Sequence, residues 1–272
     1  MKKMNFSIIL SLMVGLLILL SSCRSEFEKI RISGDPDKIL LAGNEYYDAG
    51  EYARAKTLYE LILNTYRGRA QAEELYYRYA YSHFHLREYI LSAFYFENFA
   101  NTFPNSPNRE NAEFKAAYSN YMLSPTFRLD QEYTHKAIDG FQRFVNRYPN
   151  SDRVLECNRL MDEMRKKLEQ KAFYQADLYF RMGAYQSAVS SFQHLLQDYP
   201  ETEDAEKVRY LLVKSNFLLA ENSIIARQEE RYTSTINAYN NFVRRHPVSS
   251  HLNELNNFYE ISQQKLKELS DE

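Results

Sequence analysis

Residues 185–200 read YQSAVSSFQHLLQDYP, and this segment decides the fold. Its aromatic, small and large apolar residues lie at offsets 0, 3, 7, 10 and 14, and a proline follows at offset 15: Tyr185, Ala188, Phe192, Leu195, Tyr199 and Pro200. The first five offsets fall on one face of an α-helix, where a small residue lets a second helix approach and large residues fill the space between them. The proline ends the helix or opens the next connection, because it lacks an N–H and disfavours helical geometry in the residue before it.

The same offsets recur in four more segments of the chain. The residues at offset 0 are 37, 45, 51 and 47 residues apart: Tyr52, Tyr89, Thr134, Tyr185 and Tyr232. Only the first copy lacks the proline and has Arg67 in its place. Matched offsets in five segments indicate an internal repeat. The spacing between copies is longer than the period of about 34 residues that is usual for repeats made of two short helices. The extra residues indicate longer connections and one long helix, from about 154 to 182.

A second amphipathic segment precedes the patterned helix in the first two copies. Four positions, at 13, 10, 9 and 6 residues before offset 0, carry Ile39, Ala42, Gly43 and Tyr46 in one copy and Tyr76, Tyr79, Ala80 and His83 in the other. These positions match the first helix (A) of the tetratricopeptide repeat (TPR), and the patterned helix matches its second helix (B). We therefore predict an all-α fold, a right-handed α-solenoid of about five TPR helix pairs with a C-terminal capping helix. The predicted TPR-like domain covers 36–272, with units at about 36–67, 72–104, 109–149, 154–200 and 203–247 and a cap at 249–270.

The N-terminus has the pattern of a secretion signal. Lys2 and Lys3 precede a mostly apolar stretch over 8–20, which is too short to span a bilayer because a spanning helix needs about 20 residues. The stretch ends in Leu20-Ser21-Ser22-Cys23, which resembles the lipobox of bacterial lipoproteins. The resemblance implies a signal peptide over 1–22, acylation of Cys23 and a lipidated tether over 23–35. An ordinary cleaved signal and an uncleaved anchor are the alternatives.

Charge and cysteine content restrict the function further. Removal of the leader with its two lysines would change the formal charge from −2 to −4, so we predict no nucleic-acid binding. The second cysteine, Cys157, lies in a helical stretch and is expected to be a buried structural thiol. If Cys23 carries lipid, no intramolecular disulfide can form.

The sequence contains no recognisable catalytic motif. His83 and His85 are two residues apart, so they point to different sides of a helix and cannot chelate a metal as i, i+4 ligands do. An HExxH motif, a glycine-rich phosphate loop and a GxSxG elbow are all lacking. We therefore predict that the protein is not an enzyme and uses no metal or other cofactor.

Several motifs together resemble the BamD family, lipoproteins of the outer-membrane β-barrel assembly machinery. The matching segments are 50–55 (GEYARA), 103–108 (FPNSPN), 128–131 (RLDQ), 148–151 (YPNS), 176–185 (ADLYFRMGAY) and 198–202 (DYPET). The chain departs from the family at Tyr66-Arg67-Gly68, where a proline usually follows the tyrosine, and in its longer last segment. The resemblance implies a lipid-anchored protein of the outer membrane that faces the periplasm. Such a protein would dock on the periplasmic domains of the barrel-forming assembly protein and help to recognise unfolded outer-membrane proteins.

The A helices of units one to three predict an aromatic groove for an extended peptide. Its candidate residues are Asn44, Tyr47, Tyr77, Tyr81, Phe84, Phe114, Tyr118 and Tyr121. Tyrosine offers a large apolar area, a hydroxyl group and little rotamer entropy to lose, so it suits peptides of varied sequence. The alternative is that these rings pack between neighbouring helices.

The assembly partner is expected on units three to five, where the long helix carries mixed charges. A solvated face is the alternative for those charges, because exposed ion pairs contribute little. Two other functions fit parts of the pattern. One is a different periplasmic TPR lipoprotein scaffold, for example in cell-wall synthesis or envelope constriction, although no sustained heptad run supports a coiled-coil segment. The other is a carbohydrate-capture lipoprotein, which the absence of tryptophan disfavours.

Overall fold

The computed structural model describes residues 26–270, and within that range every regular element is a helix. The predicted leader and Cys23 lie outside the described residues. The helices are α1 (Glu26–Arg31), α2 (Pro36–Asp48), α3 (Tyr52–Ile62), α4 (Ala72–His85), α5 (Tyr89–Thr102), α6 (Arg109–Leu123), α7 (Glu132–Arg147), α8 (Val154–Arg181), α9 (Tyr185–Asp198), α10 (Ala205–Glu221), α11 (Ile225–Arg245) and α12 (Leu252–Ser270). The predicted all-α class of TPR helix pairs is confirmed.

The offsets in the sequence correspond to the buried face of each B helix. The small residues at offset 3 are all completely buried: Ala55, Ser92, Ala137, Ala188 and Thr235. The large residues at offset 10 are buried as well: Ile62, Phe99, Phe144, Leu195 and Phe242. Burying a side chain of this size contributes about 1.5–3 kcal/mol, so the face that the repeat specifies is an important part of the core.

The turn between the A and B helices needs a left-handed residue in three of the repeats. The residue two positions before the B helix has a φ of 78° at Gly50, 61° at Arg87 and 75° at Gly183. Glycine adopts this geometry readily because it has no Cβ, whereas an L side chain is strained there. The sequence therefore uses glycine at two of these turns and tolerates strain at Arg87.

Part of the predicted tether is folded. The segment Glu26–Arg31 forms α1, and Phe27 and Ile30 pack against the core of the first repeat. The Phe27 ring meets Tyr46 edge-on at 5.7 Å between centroids, and the Arg54 guanidinium carbon lies 5.3 Å from the centre of the Tyr46 ring. Two apolar side chains three residues apart share one helix face, which explains why this short segment docks on the repeat.

The described residues form two compact units. The first contains the residues up to Ser124 together with Glu132–Met161, and the second contains Pro125–Gln131 and the residues from Asp162 onward. Helix α8 therefore contributes its first eight residues, 154–161, to the first unit and the remainder to the second. The third anchor spacing, from Thr134 to Tyr185, is the longest at 51 residues because it contains this long helix.

A repeated hydrogen bond joins consecutive A helices. In each repeat an acid in the A helix accepts a hydrogen bond from a hydroxyl at the following corner of the chain. The pairs are Tyr66 to Asp37, Ser106 to Glu73, Ser151 to Glu110, Thr202 to Glu169 and Ser249 to Glu206. Four of these acids stand at the second position of their helix, while Glu169 lies inside α8, where the fourth repeat begins.

The serine and threonine hydroxyls also hold the start of the next helix. Each accepts a hydrogen bond from the backbone N–H two residues further on, at 3.0–3.2 Å, and the helix begins one residue after that donor. This local turn satisfies one of the backbone donors that a helix start leaves free. At the first corner the sequence has Arg67-Gly68 and no such hydroxyl, and the hydroxyl of the buried Tyr66 makes the bond to the acid.

Candidate peptide-binding surface

The eight predicted groove residues lie on the A helices α2, α4 and α6 of the first unit. Seven of them are half-buried: Asn44, Tyr47, Tyr77, Tyr81, Phe84, Tyr118 and Tyr121. Phe114 is only 3% exposed and packs against Phe141 and Phe144, so it belongs to the core and supports the surface from beneath. The position of Phe114 in the repeat did not show whether its ring would be buried in the core or half-exposed at the surface.

The half-buried rings form a continuous aromatic surface. The centroid distances are 4.9 Å for Tyr77–Tyr81, 6.4 Å for Tyr81–Phe84, 6.1 Å for Phe84–Tyr118 and 5.5 Å for Tyr118–Tyr121. Edge-to-face and tilted ring contacts at these distances are favourable, so the rings hold one another in place. We call this set of five residues the aromatic row.

Tyr47 reaches the aromatic row through two residues that were not predicted to belong to the groove. Its ring meets Tyr52 at 5.4 Å, Tyr52 stacks on His85 at 4.0 Å, and His85 lies 5.9 Å from Tyr81. The sequence identified Tyr52 only as an offset-0 residue of the repeat, and His85 was considered only as a metal ligand together with His83. Burial raises the pKa of Tyr47 to about 12, so its hydroxyl stays protonated.

The side-chain amides of Asn44 and Asn111 form different hydrogen bonds with tyrosine hydroxyls. The Asn44 side-chain oxygen accepts a hydrogen bond from the Tyr59 hydroxyl at 2.8 Å, which links α2 to α3. The Asn111 amide nitrogen donates to the hydroxyls of both Tyr77 and Tyr81. The Oδ1 of Asn111 is buried and has no hydrogen-bond partner among the described residues.

Two basic side chains border the aromatic row. The Lys115 ammonium lies 4.2 Å from the centre of the Phe84 ring and 5.5 Å from that of Tyr118. The Arg153 guanidinium carbon lies 4.3 Å from the centre of the Phe114 ring. Burial and the nearby charge of Arg153 lower the pKa of Lys115, while Glu156 opposes this shift. Neither cation was predicted, because the sequence does not show which charges face the rings.

The second unit has a separate groove of about 860 Å³ between α9, α10 and α11. Polar and charged side chains line most of it, with Gln193, Asn216, Asn237 and Asn241 among them. Arg209 also lines this groove, and burial together with the charge of Arg245 lowers the pKa of Arg209. Such a surface offers hydrogen bonds and the half-buried positive charges of Arg209 and Arg231 to a polar partner.

Other features of the described residues bear on the remaining predictions. Cys157 is buried, as predicted, and its burial raises the pKa of the thiol to about 11. Within residues 26–270, no group of three or more metal-ligating side chains comes together. No helix in this range combines the length and the apolar character that crossing a membrane requires.

The paired helices, the repeated corners and the exposed aromatic surface define a TPR-type helical-repeat protein. The chain belongs to the YfiO family, whose description is outer membrane lipoprotein and whose model matches residues 33–231. The predicted family resemblance is confirmed.

Individual relatives agree with this assignment. The outer membrane protein assembly factor BamD of Rickettsia prowazekii is 22% identical over 233 residues, which cover 86% of this chain and 91% of the relative. A protein of Aquifex aeolicus, named provisionally as a BamD assembly factor, is 26% identical over 228 residues, which cover 83% of this chain and 74% of the relative. A crystal structure of a TPR repeats protein from Bacteroides fragilis has a TM-score of 0.37 and 12% identity, covering 85% of this chain and 98% of that one.

Proposed function

We propose that this protein is a non-enzymatic outer-membrane assembly factor that recognises unfolded outer-membrane proteins on the aromatic row and docks on the barrel-forming assembly protein. Membership of the YfiO family and the BamD relatives support the general role. The observation that carries the recognition step is the row of half-exposed rings from Tyr77 to Tyr121. Flat amphipathic rings can bind extended aromatic-rich segments without demanding one sequence.

The recognition step is tested by replacing Tyr77, Tyr81 and Tyr118 with alanine. Binding of a fluorescent peptide with the alternating aromatic residues of a barrel strand should weaken at least tenfold, because each ring provides a large contact area. Tyr239→Ala is the matched control, since this half-buried tyrosine stacks on Tyr259 in the second unit. Circular dichroism shows whether each variant is folded. Unchanged peptide binding by the folded triple variant would exclude the aromatic row as the recognition surface.

We place the docking surface for the assembly partner on the second unit, in the groove lined by Arg209. Several charges of α8 are already engaged: Arg165 lies 3.5 Å from Asp162, and Lys171 donates to the Leu129 carbonyl at 2.5 Å. Arg209 has no carboxylate partner among the described residues, so it is better placed to meet an acidic group of a partner.

The docking step is tested by a mild-detergent pull-down of the tagged full chain from outer membranes, followed by mass spectrometry. The expected result is recovery of a large β-barrel protein with periplasmic domains in near-equal amount. Arg209→Glu should reduce this recovery, whereas Lys267→Glu, an exposed charge reversal on α12, should leave it unchanged. Recovery of division or cell-wall proteins without a barrel partner would instead support the alternative scaffold function.

We further propose that a lipid on Cys23 anchors the protein to the outer membrane, facing the periplasm. The apolar stretch and the Leu-Ser-Ser-Cys sequence support this modification. Metabolic labelling with a palmitate analogue should mark the wild-type protein, and Cys23→Ser should abolish the label. Equal labelling of both proteins would refute acylation at Cys23.

A further inference from the structure

Helix α5 exposes an apolar surface on the side that faces away from its neighbour α4. Ile90 is 58% exposed, Leu91 44% and Phe94 53%. Their spacing of three and four residues places them together on one face of the helix. The opposite face carries Phe96, whose ring centroid lies 6.2 Å from that of Tyr77 in α4. We call the three exposed residues the outer patch.

Comparison of the repeats shows that the fold does not require apolar residues at these positions. The outer patch occupies offsets 1, 2 and 5 of its repeat. The same offsets carry Ala53, Arg54 and Thr57 in α3, His135, Lys136 and Asp139 in α7, Gln186, Ser187 and Ser190 in α9, and Thr233, Ser234 and Asn237 in α11. Adjacent exposed apolar side chains commonly mark a contact surface, so the outer patch is suited to binding rather than to folding.

Charges of both signs border the outer patch. Ile90 and Phe94 line a groove of about 280 Å³ together with the half-buried Tyr133 of α7. Four charged side chains line the same groove: Glu97, Lys136, Asp139 and Arg143. Tyrosine and mixed charges around an apolar centre match a zwitterionic lipid surface, where phosphate and ammonium groups lie above the acyl chains.

The proposed lipid anchor leaves little distance between the first unit and the bilayer. Cys23 is three residues before Glu26, where α1 begins. A chain extends at most about 3.3–3.6 Å per residue, so Cys23 lies within roughly 11 Å of α1. Because Phe27 and Ile30 pack α1 on the first repeat, a lipid on Cys23 would hold the first unit close to the membrane.

We propose that the outer patch inserts into the lipid surface of the outer membrane and orients the first unit on it. Ile90, Leu91 and Phe94 enter the boundary between headgroups and acyl chains, and the bordering charges contact phosphate and ammonium groups. The α4 rings of the aromatic row then lie on the side away from the bilayer. This inference rests on the proposed acylation of Cys23 and adds the face with which the anchored protein meets the membrane.

The test uses a single tryptophan, because the chain contains none. Full-length lipidated protein with Phe94→Trp is reconstituted into vesicles of phosphatidylethanolamine and phosphatidylglycerol, with or without bromine on the acyl chains. An interfacial side chain reaches about 5–10 Å into the lipid boundary, so bromine close to the headgroups should reduce the emission roughly twofold or more. Asn237→Trp is the matched control, since Asn237 is exposed at the same offset in α11 among polar neighbours, and its emission should be equal in both kinds of vesicle.

A charge placed in the outer patch separates insertion from anchoring. Adding Leu91→Asp to Phe94→Trp should restore the emission in brominated vesicles, because a charged side chain is costly in the apolar part of a membrane. Ser234→Asp, at the same offset in α11, should leave the quenching of Phe94→Trp unchanged. Circular dichroism shows that each variant is folded, and flotation with the vesicles shows that it is anchored.

The outcomes that would overturn the inference differ in what else they exclude. Unquenched emission from Phe94→Trp protein that floats with the vesicles would refute the outer patch as a membrane contact and leave the lipid anchor in place. A shift of this emission to shorter wavelength that grows with protein concentration in detergent would assign the patch to a second copy of the chain. A shift that requires the barrel-forming assembly protein would assign it to that partner. Protein that neither floats nor takes up the palmitate label would refute the anchor on Cys23 together with the inference.

Discussion

Loss of one corner hydroxyl should measurably destabilise the first unit. The Ser151 hydroxyl donates to a Glu110 carboxylate oxygen at 2.6 Å and accepts from the Arg153 N–H at 3.2 Å. A hydrogen bond to a charged group contributes about 1.5–3 kcal/mol, and a capping side chain contributes about 1 kcal/mol. Because the corner is only half-buried, water replaces part of what is lost, and we expect Ser151→Ala to lower the free energy of unfolding by about 1.5 kcal/mol.

Urea denaturation followed by far-ultraviolet circular dichroism measures this change. In a chain of this size, about 1.5 kcal/mol corresponds to a fall in Tm of roughly 3–6 °C. Ser151→Thr is the control, because Thr202 already performs the same role in the next corner. It should unfold within about 0.5 kcal/mol of the wild type.

A double-mutant cycle separates the bond to Glu110 from the local turn. Combining Ser151→Ala with Glu110→Gln should give a loss about 1 kcal/mol smaller than the sum of the two single losses, because the two side chains interact directly. If Ser151→Ala unfolds like the wild type, or the two losses add, the corner bond does not stabilise the repeat as argued.

Three further predictions follow from the backbone and from buried groups. Gly183→Ala should cost about 1 kcal/mol in denaturation experiments, since its φ is 75° with no neighbouring atom in the way, whereas Arg87→Gly should not destabilise. Gly140→Ala should cost about 1–2 kcal/mol by the same assay, because the new Cβ would lie 2.8 Å from the Ala117 Cβ. Burial lowers the pKa of His83 below 6.5, so stability present above pH 6.5 should fall as the pH drops below that value. His83→Gln should show a smaller loss between pH 7.5 and 5.5, and an equal loss in both proteins would contradict the role of His83.

Much of the fold could be predicted because the core repeats with a fixed helical period. The offsets identified the buried face of every B helix, and the corner prolines predicted where α5, α7, α9 and α11 end. The division of α8 between the two units could not be predicted from the sequence. Its first half continues the packing of the first unit and its second half begins a new repeat, and no break in the sequence separates them.

The candidate site was predicted only in outline. Helical spacing placed Tyr77, Tyr81 and Tyr118 on adjacent A helices, yet it could not distinguish Phe114, which is buried, from its half-exposed neighbours. Lys115 was visible as a charge in the sequence. Its position over the Phe84 and Tyr118 rings depends on contacts between helices that are distant in sequence, so only the structure could show it.

The corner bonds also bear on how such a chain can change its length. Each bond joins one A helix to the corner that follows it, and the five bonds use the same two chemical groups. An inserted or deleted repeat that carries its own acid and hydroxyl would leave the other bonds intact. Repeat arrays are stabilised mainly through nearest neighbours, so natural variation in this architecture should occur in steps of whole helix pairs.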